Sequence, residues 1–104
     1  MSAIVTSDDG VDWFTNSRTW SIILERAMRV VDQAKRTEYA RHADKIGIDF
    51  TLIDAENRPE IAQWLLETIE ALSGPEAAEH GWDTEADKSH LQDLAAMLRR
   101  MAQK

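Results

Sequence analysis

Apolar residues recur at helical spacing in three stretches of the chain and at strand spacing in one. In the first, Trp20, Leu24, Ala27, Val31 and Ala34 step by four and three, flanked by Ile23, Met28 and Val30. That stripe predicts a helix over 16–45, with Asn16 or Ser17 as its cap. The stripe degrades after Ala34, where Glu38 falls on the apolar face, so an end or bend is expected near Thr37 to Tyr39. A second helix is predicted over 57–73, on the stripe Ile61, Leu65, Thr68 and Leu72 with Trp64 and Ile69 beside it. Asn57 is placed to cap it, Glu60 to answer the cap, and Pro59 falls in the tolerant first turn. Ser73-Gly74-Pro75 stops it, with the glycine expected in a left-handed conformation. The third helix, over 84–103, opens with Thr84 as cap and carries Leu91, Leu94, Leu98 and Met101 on one face.

The strand-like stretch is "KIGIDFTLIDAE", where Ile46, Ile48, Phe50 and Leu52 alternate with Gly47, Asp49 and Thr51. A lone strand leaves its backbone unsatisfied, and the candidate partner within the chain is the short "AIVT" at 3–6. The expectation is therefore an extended connector over 46–56 whose apolar side chains cover the helices. With residues 1–15 as an arm and 74–83 as a second connector, the fold class is expected to be all-α. It would be a small up-and-down bundle of three main helices, a single domain over 1–104, with a possible short extended segment at 46–53.

Composition narrows what such a domain can do. An apolar fraction of 43% among 104 residues is enough for one modest core. There are no cysteines, which removes disulfides, thiolate nucleophiles and thiolate-held zinc. The opening "MSAIVTSDDGVDWF" has neither the basic nor the apolar stretch of a secretory leader, and no apolar run reaches the roughly 20 residues of a membrane span, so a cytoplasmic protein with no membrane partner is expected. The net charge of -7 disfavours nucleic acid. Its distribution is uneven: residues 18–45 hold seven basic and four acidic residues, and residues 54–93 hold eleven acidic and two basic. The arginines of the first helix have carboxylates four residues before them, Glu25 for Arg29 and Asp32 for Arg36. The acids of the second half have few local cations, and such a surface serves either solubility or the recognition of a basic partner.

Catalytic chemistry is thinly represented. An all-helical nucleotide pyrophosphohydrolase collects magnesium with carboxylates at three- and four-residue spacing, and Glu67 with Glu70 offers half of that pattern. Both fall toward the solvent side of their helix, and Glu85 is followed three residues on by Lys88 where a second carboxylate is needed. His42, His80 and His90 have no shared ligand spacing. No serine stands in a strand-to-helix elbow and no glycine-rich phosphate loop is present. The balance is against an enzyme, and neither cofactor nor metal is expected. The leading expectation is a small acidic module of the regulator, adaptor or toxin-neutralising type that binds a protein with a basic surface and forms a homodimer. Its contact face is placed around "SGPEAAEHGWDTEAD", with Trp82 as anchor and Glu67, Glu70, Glu76, Glu79 and Asp83 as the charged surround. The alternative is a metal-dependent hydrolase of a phosphorylated small molecule.

Overall fold

Residues 2–104 are described by the structure, a computed structural model. The chain opens with a strand, β1 (Ser2–Thr6), that is hydrogen-bonded along both of its edges. On one side β2 (Asp12–Asn16) pairs with it antiparallel, and on the other β3 (Gly47–Asp49) pairs with it parallel, giving the order β2-β1-β3. Four helices follow from the remaining chain: α1 (Ser17–Arg29), α2 (Arg36–His42), α3 (Arg58–Leu72) and α4 (Glu85–Ala102).

This three-stranded mixed sheet overturns the all-α bundle expected above, and with it the reading of residues 1–15 as an arm and of 46–56 as a mere connector. The reason lies in length. β1 and β2 each contribute two buried side chains, Ala3 and Val5 from one and Trp13 and Thr15 from the other, with exposed residues between them. Two turns of a two-residue period are too short to stand out from a polar arm. The turn that joins them, Ser7-Asp8-Asp9-Gly10, is an Asp-Gly hairpin signal that could have identified the pair. Its geometry is closed by the Ser7 N–H to the Val11 carbonyl at 2.8 Å and the Gly10 N–H to the Ser7 carbonyl at 3.0 Å.

Pairing of β3 with β1 depends on Gly47. Its φ of +127° is a region L side chains rarely occupy, and a Cβ there would stand 1.9 Å from the Ile4 carbonyl oxygen. The Ile4 N–H meanwhile reaches the Ile46 carbonyl at 3.1 Å. The glycine between Ile46 and Ile48 is thus the residue that lets two backbones meet.

Helix α1 starts as expected, with the Asn16 side chain accepting from the Thr19 N–H at 2.7 Å. It stops at Val30, earlier than the sequence suggests. A 3₁₀ turn at Gln33–Lys35 then redirects the chain into α2, so the predicted helix over 16–45 is two helices. A competing donor marks the break: the Trp64 indole N–H bonds the Ala27 carbonyl at 2.9 Å, a group that a continuing helix would use internally. The bend leaves Ala34 exposed and buries Tyr39 and Ala43.

Helix α3 is the most enclosed element, with eight buried residues that include Ile61, Ala62, Leu66 and Ile69, because α4 covers it on one side and α1 on another. Its entry differs from the expected capping box. Asn57 ends a 3₁₀ turn and makes no side-chain cap, and Glu60 turns to Lys35 instead. Gly74 is not left-handed at its end; the Ser73 hydroxyl donates to the Ile69 carbonyl at 2.7 Å there, and the left-handed glycine is Gly81, closing the 3₁₀ turn Ala77–His80. Thr84 caps α4 as expected, accepting from the Asp87 N–H at 3.2 Å. The far end of α4 reaches the β1–β2 turn, where Lys104 meets Asp8 at 2.7 Å and Arg100 meets Asp9 at 3.3 Å.

Replacing Gly47 by alanine is expected to cost about 3 kcal/mol or more, combining steric overlap with backbone strain. Gly10→Ala, where nothing lies within 4 Å of the added carbon, is the control, expected to cost about 1 kcal/mol from its positive φ alone. Urea denaturation of the two variants gives the comparison, and equal losses would remove the role assigned to Gly47.

Candidate functional site

Strand alternation places one row of β1 and β2 on the helices and the other on the outer face of the sheet. Ile4 and Phe14 stand opposite each other on that outer row, 37% and 58% exposed. At the β3 side the surface continues through Ile46 and Leu52, 58% and 77% exposed, and Gly47 contributes no side chain between them. Ile4, Ile46 and Leu52 border a groove of about 390 Å³, with Arg41 and His42 at the end of α2 forming one wall.

Three carboxylates line the same groove, each held by a local donor. Asp12 accepts from the Thr6 hydroxyl at 2.6 Å, Asp44 from the Ile46 N–H at 3.0 Å, and Asp49 from both the Thr51 N–H at 2.9 Å and its hydroxyl at 2.6 Å. These bonds hold the carboxylates in place. The sequence carried a trace of this surface in the alternation at 46–52; what pairs with that segment is a matter of the fold.

The residues expected to form the contact face are distributed over several parts of the molecule. Trp82 is half-buried, packed partly against the core, with its ring 5.2 Å from that of His80. The hollow beside it, about 310 Å³, is lined by Asn16, Arg18, Thr19, Ile22 and Asp87. Glu76 lies under α1 in a two-pronged bond with Arg26, at 2.9 and 3.1 Å to Nε and 2.9 Å to Nη2. Hydrogen bonding from that guanidinium holds the Glu76 carboxyl below its ordinary value and raises Arg26 in turn. Glu70 stands 3.9 Å from Arg99 of α4. Glu67 accepts from the Gln63 amide at 3.3 Å and opens on a different cleft, of about 280 Å³, between the end of α1, α2 and α3. Glu79 and Asp83 are exposed. Folding therefore gives Glu70 and Glu76 cationic neighbours from helices remote in sequence.

The cleft near Glu67 has its own internal order. Lys35 is bonded to Glu60, which lowers the carboxyl and raises the ammonium, and Tyr39 packs on Trp64 with ring centroids 4.7 Å apart. Burial first, and then Glu60, push the Tyr39 phenol well above its ordinary value, so it stays neutral as a donor.

Hydrolytic metal chemistry would require convergence of ligands. Among the described residues no three of His, Asp and Glu come together in a way that could hold a metal ion. The three histidines occupy three environments: His42 on the groove wall, His80 against Trp82, and His90 stacked on Trp13 at 4.4 Å with its Nε2 3.1 Å from the Thr15 hydroxyl. No helix among the described residues is long and apolar enough to cross a membrane. No family model matches the chain, and neither a curated protein nor a solved structure shows significant similarity to it.

The ion pairs set an acid limit to stability. Glu76 and Glu60 have folded-state values below the ordinary 4.5, so their contribution is fully present above that pH and is lost as pH falls through the lower folded values. Melting temperature is expected to decline below about pH 4.5, less steeply for Glu76→Gln than for the unaltered chain. Parallel curves for the two would remove Glu76 from the account.

Proposed function

We propose that this protein works by binding another protein, one that presents a basic surface. The class of molecule is a small α/β module in which helices back one face of a short sheet and leave the other free. What carries the reading is the pair Ile4 and Phe14, set side by side on that free face and continued by Ile46 and Leu52. Single exposed apolar residues are ordinary on a protein surface; a contiguous set bordered by charges is a feature of contact sites. The net charge of -7 supports a cationic partner, because complementary charge accelerates encounter and rejects competitors. Trp82, half-buried in a hollow shared with Arg18, offers a second contact point.

The hydrolase alternative has less to rest on, since Glu67 and Glu70 lead to different neighbours, Gln63 and Arg99. The binding reading is tested by affinity capture from the native host, followed by purification of the captured protein and measurement of its dissociation constant. Phe14→Glu is expected to weaken binding at least ~10-fold, as loss of an apolar anchor does. Trp82→Ala, and Glu67 and Glu70 changed together to lysine, report on the other candidate face. A dissociation constant indifferent to every one of these substitutions would defeat the proposal.

A further inference from the structure

Resting on the protein-binding reading, we infer that the groove over β1 and β3 is the seat of a basic amphipathic helix from the partner. The floor is apolar, made by Ile4 and flanked by Ile46 and Leu52. Around it stand Asp12, Asp44 and Asp49 against one guanidinium, Arg41, and the imidazole of His42. The lining sets three carboxylates against one guanidinium, so its complement is a segment with apolar residues on one side and lysine or arginine beside them.

The form of the occupant follows from the backbone. An added strand would need the free edge of β3, and that edge is already spent: the Gly47 N–H bonds the Asp44 carbonyl at 3.0 Å and the Asp44 N–H bonds the Gly47 carbonyl at 3.1 Å. Past Asp49 the chain coils at once into the 3₁₀ turn Phe50–Leu52. A helix satisfies its own backbone and asks the groove only for side-chain contacts, which is what Ile4, Ile46 and Leu52 offer. A second copy of this chain is disfavoured as occupant, because each copy brings a charge of -7 and the groove itself is acidic.

The experiment uses the full chain and three synthetic peptides of about 15 residues, long enough for about four helical turns. One places leucine at three- and four-residue spacing with lysine elsewhere, one replaces each lysine by glutamate, and one permutes the first so that its leucines no longer share a face. Titration calorimetry gives affinity, and backbone amide shifts give location. The leucine–lysine helix is expected to bind and to move the amides of Ile4, Ile46, Gly47 and Leu52, with the other two peptides at least ~10-fold weaker. Leu52→Asp, at a side chain that is 77% exposed, and Asp49→Asn, which keeps an acceptor for Thr51, are each expected to weaken it several-fold. Equal binding of the permuted peptide, or shifts confined to the acidic exteriors around Glu67, Glu79 and Asp83, would overturn the proposal. A homodimer in sedimentation that Leu52→Asp dissolves would likewise overturn it, by seating a second copy in the groove. If the protein captured from the host loses affinity with Trp82→Ala but not with Leu52→Asp, the groove falls and the binding reading stands. If it responds to neither, nor to Phe14→Glu, nor to the paired lysine change at Glu67 and Glu70, both fall.

Discussion

The close approach of Gly47 to the backbone of Ile4 is the contact on which the rest of the molecule is arranged. It allows β3 to run parallel to β1, and β1 thereby becomes a central strand with both edges paired. Once that is so, the two-residue alternation of β1 has only one way to resolve. Ala3 and Val5 go fully inside against the helices, and Ile4 goes out. The groove floor and the core are therefore two faces of the same short strand, and a register slip of one residue would exchange them.

Tryptophan ties the helices to this sheet and to one another. Three of the four indole N–H groups end on backbone carbonyls: Trp13 on His90 at 3.0 Å, Trp20 on Asp44 at 2.6 Å and Trp64 on Ala27 at 2.9 Å. Each bond joins segments distant in sequence, β2 to α4, α1 to the loop before β3, and α3 to the end of α1. A buried ring supplies apolar area, and its single donor adds direction, so these side chains fix where elements meet as well as holding them together. One such bond lies at the break between α1 and α2, and the wall of the groove, Arg41 and His42, is carried on the helix that follows the break.

Charge is redistributed by folding. A chain with a basic first half and an acidic second half places Arg26 on Glu76, Lys35 on Glu60 and Arg99 near Glu70. Pairs this exposed contribute little each to stability, but they remove several anions from the surface available to a partner. Three carboxylates outside those pairs, Asp12, Asp44 and Asp49, stand beside apolar surface on the sheet side, all outside the stretch around Trp82 that composition favours.

Much of the helical structure was legible along the chain. The stripes of α3 and α4, the Asn16 and Thr84 caps, and the stop after Leu72 are local matters, settled by side-chain periodicity and by terminal backbone groups that seek the nearest acceptor or donor. The sheet was visible only in fragments, as an alternation at 46–52 with "AIVT" at 3–6 as its candidate partner and an Asp-Gly turn at 9–10, because a strand is held by partners remote along the chain. The helix over 16–45 is two helices, and at the end of the first the Ala27 carbonyl takes a donor from Trp64, thirty-seven positions further along. The candidate groove was hidden for the same reason: its residues come from β1, β2, the end of α2 and the segment after it, and none carries a motif. Sequence by itself determined which segments coil and which residues seek the interior, since those are short-range choices. Only the tertiary structure decided which apolar residues stay outside, because that depends on how many layers cover a strand and on a glycine narrow enough to bring a third strand against it.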